Sequence, residues 1–252
     1  DDFLPEGTLH LYVVRAPVAK ATFTVASVDE AKASPGVRLV LTGADLAHLK
    51  DLRSGAMQKQ PDGTRAPTRD IPILCRDRVQ YVGDAVALVV ADSRAQAQDA
   101  AELIDIDYDD EEAIAATAEA LSKDAPLVWP ELGSNRAFLY HVGDKEKSDA
   151  AFARAARVTR IEFVNNRLVC NYMEPRAALA EWNEDENRYV LTTGSQGVHS
   201  MRGILCKTFG IEPENLRVIT PDVGGGFGPK TFVYREYAMV MEAAKRLGRP
   251  VK

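Results

Sequence analysis

The sequence has few of the residues that proteins use to hold metal clusters. Its three cysteines lie far apart, at Cys75, Cys170 and Cys206. Its four histidines are equally scattered, at His10, His48, His141 and His199. No Cys-x-x-Cys motif occurs. The spacing argues against an iron–sulfur cluster, a structural zinc ion or another metal held by protein side chains, and it predicts buried, reduced thiols.

Long apolar runs and clusters of basic residues are also lacking. No apolar stretch approaches the ~20 residues that a transmembrane helix requires. The first residues, DDFLPEG, are acidic where a signal peptide would be basic. The formal net charge is −6, which argues against a nucleic-acid or anionic-membrane partner. We therefore expect a cytoplasmic protein with no membrane span.

The sequence does contain enough apolar residues for a globular core. Its 252 residues, 46% of them hydrophobic, allow one large domain or two of ordinary size. Short apolar runs at 37–41 and 85–90 and the alternation at 9–13 predict strands, and Ser93 is placed to cap a helix over 94–103. Residues 104–109 alternate apolar side chains with aspartates, which predicts a strand with an acidic outer face. A calcium loop is disfavoured because Asp110 stands where it requires glycine.

The second half of the chain continues the mixed α/β pattern. Residues 111–136 show no sustained alternation and contain two prolines, which predicts a connector that is at most partly helical. Beyond it, alternation predicts strands at 158–163, 177–182, 189–193 and 216–219. Apolar spacing predicts amphipathic helices at 196–209 and 231–247, the latter ended by Gly248.

The most distinctive stretch is PDVGGGFGPK, residues 221–230. It nearly spells a phosphate-binding loop, but Pro229 stands where the second glycine should be and cannot donate an N–H. The glycine spacing of the dinucleotide fingerprint fails as well. Two interpretations remain open from the residues alone: a tight turn before a helix, or a bare backbone that approaches a ligand.

Four segments, taken together and in this order, resemble motifs of the large subunit of molybdenum hydroxylases. They are YVGDAVALVVADSRAQAQDAA (81–101), NYMEPRAAL (171–179), TGSQGVHSM (193–201) and VGGGFGPK (223–230). The family holds xanthine dehydrogenase, aldehyde oxidase and aerobic carbon monoxide dehydrogenase. The resemblance covers nearly the whole chain.

This resemblance implies an α/β hammerhead domain over residues 1–112, a connector over 113–136, and the N-terminal portion of a molybdopterin-binding domain over 137–252. It also implies that the chain is the N-terminal part of a longer subunit, because the family's catalytic base lies in a C-terminal portion. The implied cofactor is molybdopterin with molybdenum, in the cytosine dinucleotide form. The implied partners are the remainder of the subunit and iron–sulfur and FAD subunits or domains.

The resemblance also assigns candidate site residues. Gln196 matches a glutamine that hydrogen-bonds an oxygen ligand on molybdenum, and Gly225, Gly226, Phe227 and Gly228 match the loop that lies against the metal end of the pterin. From the residues alone, a helix N-terminal cap is the better explanation of Gln196, and the resemblance reverses that preference. The resemblance implies no catalytic residue within this chain and no metal bound by its side chains.

The implied activity is hydroxylation with water as the oxygen source. Purine-oxidising relatives place a glutamate directly after the lysine of the glycine loop, whereas this chain has Thr231. Aldehydes, aromatic heterocycles and carbon monoxide therefore remain as substrates. We expect the chain to be inactive alone and without cofactor; the alternative is a stand-alone interaction module that binds no cofactor. The only support for a nucleotide-binding phosphatase or kinase is the imperfect match to a phosphate-binding loop.

Overall fold

The described residues, 3–53 and 59–252 of a computed structural model, form three small sheets and five α-helices. The strands are β1 (His10–Arg15), β2 (Ala21–Ser27), β3 (Val37–Thr42), β4 (Arg78–Val79), β5 (Ala85–Ala91), β6 (Asp105–Asp110), β7 (Ala178–Asn183), β8 (Arg188–Thr193) and β9 (Leu216–Ile219). The helices are α1 (Asp29–Ala33), α2 (Arg94–Ala101), α3 (Lys145–Ala153), α4 (Val198–Phe209) and α5 (Arg235–Leu247). The predicted mixed α/β fold is confirmed.

Two antiparallel sheets are built from residues 10–110, in the orders β1-β5-β3 and β4-β2-β6. Strand β5 is buried along its whole length because both of its faces are covered. Ala87 and Val89 face helix α2, whereas Leu88 and Val90 face a second cluster that includes α5. This double coverage explains why β5 reads as an unbroken apolar run. Ser93 caps α2 by accepting from the Gln96 N–H at 3.3 Å, as the sequence predicts.

The third sheet, β7-β8-β9, carries the elements that frame the glycine loop. Strands β7 and β8 form an antiparallel hairpin, and β9 returns parallel to β8 after the crossover helix α4. Helix α5 packs on β7 and β8. It ends at Gly248, whose φ of 60° is the left-handed conformation that glycine adopts without strain. The loop at 220–230 therefore runs from the end of β9 towards α5.

The end of the described chain joins the first and third sheets. Val251 pairs with Leu9 beside β1 and with Ala180 on β7. The Leu9 N–H donates to Pro250 O at 2.8 Å, and the Ala180 N–H donates to Val251 O at 2.9 Å. One hydrophobic cluster includes buried side chains of β5, β8 and α5 together. The first sheet, the third sheet and helix α5 therefore share a hydrophobic core.

Several boundaries differ from the sequence-based predictions. Residues 158–163 do not form a strand; Ile161 and Phe163 are 77% and 79% exposed. Apolar alternation does not make a strand without a partner for its backbone groups, and the described residues supply none. Helices α4 and α5 begin later than predicted, and β2, β4, α1 and α3 were not predicted. Cys170 is exposed, unlike the buried Cys75 and Cys206.

Among the described residues, the helices are all too short or too polar to cross a membrane.

Candidate functional site

The backbone of the glycine loop is predominantly left-handed. The φ angles are 55° at Gly224, 90° at Gly225, 48° at Phe227 and 106° at Gly228. A residue with a Cβ costs about 1–2 kcal/mol in this region, which explains glycine at three of the four positions. Phe227 bears that strain while its side chain is 72% exposed. An exposed aromatic ring held in a strained conformation points to a functional role for this residue.

Gln196 is joined to the glycine loop at two points. Its Oε1 accepts a hydrogen bond from the Gly228 N–H at 2.9 Å, and its own N–H donates to Lys230 O at 2.9 Å. Gly226 is buried against the same amide, since a Cβ there would lie 2.5 Å from Gln196 Oε1. The structure thus brings Gln196 together with the four loop residues that the sequence predicted.

The structure does not place Gln196 at the helix cap. Helix α4 begins at Val198, with Gly197 in the cap position, and the Gly197 N–H donates to Ser195 Oγ at 3.0 Å. Because Oε1 of Gln196 faces Gly228, the remaining amide group, Nε2, is the one available to a ligand; it has no hydrogen-bond partner among the described residues. A neutral amide donor suits an oxo group or another anionic oxygen.

Lys230 lies at the base of the candidate site and was not selected by the sequence analysis. Its side chain is 0% exposed. Its Nζ donates to Glu174 O at 2.8 Å and to Val223 O, lies 3.6 Å from Glu174 Oε2, and sits 4.8 Å from the centre of the Tyr172 ring. Because its ammonium is buried and bonded to these main-chain oxygens, Lys230 does not extend towards a bound phosphate as the lysine of a phosphate-binding loop does. The phosphate-loop interpretation therefore fails at the lysine as well as at Pro229.

Gly224 is a second residue that the sequence analysis did not assign to the site. A Cβ at this position would lie 2.1 Å from Glu174 Cβ, so only glycine fits. The Glu174 N–H donates to Gly224 O at 3.3 Å. Glu174 belongs to the NYMEPRAAL segment, but no local spacing in the sequence indicates that this segment crosses the glycine loop.

The candidate site is open at Gln196 and Phe227, which are exposed, whereas Gly225 and Gly228 are half-buried and Gly226 is buried. A cavity of about 780 Å³ lies against β1 and α5, and another of about 460 Å³ lies between residues 67–72 and the 113–136 connector. Neither Gln196 nor residues 225–228 line these cavities. A ligand held at the loop would need further walls that these residues do not supply.

The donor groups fit the end of a molybdopterin cofactor. A Cβ at Gly228 would meet no atom within 4 Å, so the backbone there is open to a bulky group, whereas the space beside Gly225 and Gly226 is taken by Tyr172 and Gln196. The exposed Gln196 amide adds a neutral donor beside the loop. These groups would hydrogen-bond to the oxygen or sulfur ligands of a metal and would not replace them.

Comparison with known proteins yields two family matches. The aldehyde oxidase and xanthine dehydrogenase a/b hammerhead domain matches residues 1–112, and the molybdopterin cofactor-binding domain matches residues 128–252. The carbon monoxide dehydrogenase large chain of Hydrogenophaga pseudoflava is 31% identical over 264 residues, which cover 100% of this chain and 32% of the relative. The nicotine 6-hydroxylase large subunit of Paenarthrobacter nicotinovorans is 33% identical over 257 residues, covering 100% and 30%.

The fold matches solved structures of the same kind. Quinoline 2-oxidoreductase from Pseudomonas putida 86 superposes with a TM-score of 0.88 at 32% identity, over 99% of this chain and 31% of that one. The chain thus spans about a third of the length of the relatives that it matches. On its two domain matches, its relatives and its fold, the chain belongs to the molybdenum hydroxylase large-subunit family of xanthine dehydrogenase, aldehyde oxidase and carbon monoxide dehydrogenase.

Proposed function

We propose that this chain is the N-terminal part of the molybdopterin-binding large subunit of a molybdenum-dependent hydroxylase or dehydrogenase. The enzyme oxidises an aldehyde, an aromatic heterocycle or carbon monoxide with oxygen from water. The observation that carries this proposal is the junction of Gln196 with the glycine loop. There, the Gly228 N–H donates to Oε1 of Gln196 at 2.9 Å, which leaves Nε2 as the amide group of this exposed residue that can donate to a ligand.

Each site residue has a defined role in this proposal. Gln196 Nε2 would donate to an oxygen ligand of molybdenum, and the cofactor would lie against the backbone at Gly228, where a Cβ would meet no atom within 4 Å. Gly225 and Gly226 would serve the site indirectly, because they leave room for Tyr172 and Gln196. Phe227 presents its ring at the same surface. When bound, the cofactor supplies the oxidation–reduction chemistry that these side chains lack. None of the five residues carries a titratable group, so proton transfer falls to other residues.

The chain supplies one wall of the site and depends on partners for the rest. The relatives are about three times as long. We therefore infer that the remainder of the large subunit contributes the catalytic base and further cofactor contacts, and that iron–sulfur and FAD subunits or domains receive the electrons. The cofactor is molybdopterin in its cytosine dinucleotide form, and the location is cytoplasmic. The isolated chain is inactive.

Thr231 narrows the range of substrates. It follows Lys230 directly and is exposed beside the glycine loop. A threonine hydroxyl lacks the negative charge with which a glutamate would hold a purine, so xanthine-like substrates are disfavoured. The relatives include a carbon monoxide dehydrogenase, a nicotine 6-hydroxylase and a quinoline 2-oxidoreductase, which supports keeping carbon monoxide and aromatic heterocycles among the candidate substrates.

An interaction module without a cofactor is the second candidate. A run of exposed apolar side chains favours it: Ile161, Phe163, Val164, Leu168 and Val169 are 77% to 86% exposed. Large exposed apolar patches mark interaction surfaces. Such a module would still need a partner to cover this run, and it gives no reason for the density of glycine beside Gln196.

The test uses the complete subunit with its partners, the isolated chain, and two variants at Gln196. Gln196→Glu keeps an oxygen to accept from the Gly228 N–H but loses the Nε2 donor, whereas Gln196→Ala loses both. We expect molybdenum and pterin in the complete wild-type enzyme and turnover of at least one of the three substrate classes with an artificial electron acceptor. Loss of a group that supports a metal centre typically costs roughly 10- to 100-fold in metal affinity or activity, and we expect this for both variants.

The isolated chain should show no turnover under the same conditions. Metal-dependent turnover by the isolated chain would contradict its proposed dependence on the rest of the subunit. A complete enzyme that contains no molybdenum or pterin would favour the interaction module instead.

A further inference from the structure

Lys230 carries a buried charge at the base of the glycine loop. Its side chain is 0% exposed, and a buried ammonium is costly unless its hydrogens are bonded. The lysine lies among three segments: the glycine loop itself, the residues before β7, and Gly194 after β8, where a Cβ would lie 3.4 Å from Nζ. None of its described contacts leads to the open surface where a ligand would bind.

The ammonium binds main-chain acceptors from two of these segments. It donates to Val223 O at the start of the loop and to Glu174 O at 2.8 Å. The same two segments are also bridged by the Glu174 N–H, which donates to Gly224 O at 3.3 Å. The first residues of the loop are thereby tied to the backbone around Glu174.

The main chain of Lys230 makes a separate connection. Its carbonyl oxygen accepts from the Gln196 N–H at 2.9 Å. One residue therefore holds the start of the glycine loop through its side chain and the backbone of Gln196 through its carbonyl. The separation between the Gln196 amide and the loop N–H groups depends on both connections.

We propose that Lys230 is a positioning residue of the cofactor site. This inference rests on the function proposed above and adds a residue that acts without touching the ligand. The two charge-assisted hydrogen bonds to carbonyl oxygens fix the left-handed loop in the one conformation that presents its N–H groups beside Gln196. Without them, the glycines would leave the loop free to adopt many conformations.

An ion pair with the Glu174 side chain is a weaker explanation for the buried lysine at position 230 than its hydrogen bonds to main-chain oxygens. Glu174 Oε2 lies 3.6 Å from Nζ, which is longer than a hydrogen bond. The tethering acceptors are main-chain oxygens, so they persist when the Glu174 side chain is changed. Glu174→Gln should therefore keep the loop in place, whereas Lys230→Met should release it.

The experiment compares these variants in the complete subunit, both cofactor-free and loaded. Lys207→Met is the matched control, since Lys207 is an exposed lysine on α4. In cofactor-free protein, amide hydrogen exchange is measured for residues 222–228 and for helices α4 and α5. In loaded protein, molybdenum and pterin are measured per folded polypeptide.

For Lys230→Met we expect exchange in 222–228 to accelerate by about tenfold or more while α4 and α5 keep their protection, because only the local opening becomes easier. Molybdenum and pterin content should fall several-fold. Glu174→Gln and Lys207→Met should match the wild type in both measurements. Wild-type exchange and content in Lys230→Met would overturn the proposal, and so would an equal effect of Glu174→Gln.

If Lys230→Met also accelerates amide hydrogen exchange in α4 and α5, Lys230→Gln is the variant that distinguishes a local effect from a global one. Glutamine keeps a donor without the charge, so its losses should be confined to the loop and smaller. Loss of protection throughout the protein in both variants would assign Lys230 to overall stability and overturn the positioning role. A wild-type enzyme without molybdenum or pterin would refute the proposed function, while exchange in the cofactor-free protein would still decide what Lys230 does.

Discussion

At the scale of single residues, Gly226 is the position where a substitution can distinguish a ligand-binding role of the glycine loop from a purely structural role as a turn. Its φ is not among the positive values of the loop, so backbone strain does not explain the glycine. The reason is contact, because a Cβ would lie 2.5 Å from Gln196 Oε1 and 2.8 Å from its Cδ. The Gln196 side chain is exposed and can move aside. Adding a methyl group would therefore displace the amide more than it disturbs the fold.

We predict that Gly226→Ala in the complete enzyme lowers molybdenum content or activity well before it lowers stability. The free energy of unfolding should change by less than about 1 kcal/mol, as for substitutions beside mobile surface groups. The measurements are metal content, activity and the melting temperature of the cofactor-free protein. Gly203→Ala is the control: a Cβ on this helical glycine meets no atom within 4 Å, and alanine should stabilise α4 by roughly 0.5–1 kcal/mol. A large fall in melting temperature with full metal content would make the loop structural.

Part of this site could be predicted from the sequence, and there is a physical reason why the rest could not. Resemblance selected Gln196 and residues 225–228, which the structure brings together. It did not select Lys230 as a tether, because its acceptor Glu174 O lies 56 positions away in the chain. Local spacing reveals caps and turns, but a contact between distant segments depends on how the intervening elements pack.

At the scale of elements, the predicted strands that have a pairing partner formed close to their predicted bounds, although β2 and β4 also pair and were not predicted. Strand β9 has the predicted bounds, and β8 differs by one residue. Residues 158–163 carry a similar apolar alternation but make no ladder. By contrast, the 113–136 connector has no α-helix or strand, in keeping with its sequence, but Asn135 holds it together. This side chain accepts from the Val128 N–H at 2.8 Å and donates to Ala120 O and Pro126 O at 3.0 Å.

This contrast predicts where a protease cuts the isolated chain first. The sequence alone would place early cleavage in the connector. From the structure, we predict that the first cleavage falls between residues 154 and 170. The backbone there lacks regular structure, and four arginines are exposed: Arg154, Arg157, Arg160 and Arg167. Limited trypsin digestion with mass spectrometry should detect these sites before Lys123 or Arg136. Cleavage at Lys123 first would show that the Asn135 hydrogen bonds do not order the connector.

At the scale of the whole molecule, the hammerhead region is joined to the start of α5. Arg235, the first residue of α5, pairs with Asp84 before β5 at 2.6 Å, and their side chains are only 8% and 6% exposed. The same guanidinium donates to Pro72 O at 3.3 Å and to the Tyr81 hydroxyl. Because α5 follows the glycine loop directly, this contact sets where the loop lies relative to the first two sheets.

Breaking the buried pair should therefore cost far more than breaking one on the surface. Arg235→Met leaves the Asp84 carboxylate buried without its partner, which should lower the free energy of unfolding by about 3–5 kcal/mol. Arg38 and Asp92 form a pair of the same 2.6 Å length with side chains 50% and 38% exposed, so Arg38→Met should have a much smaller effect on the free energy of unfolding. The measurement is urea unfolding of both variants. The double variant Asp84→Asn, Arg235→Met should recover part of the loss, because it leaves no buried charge. Equal costs for Arg235→Met and Arg38→Met would show that this contact does not hold the hammerhead region to α5.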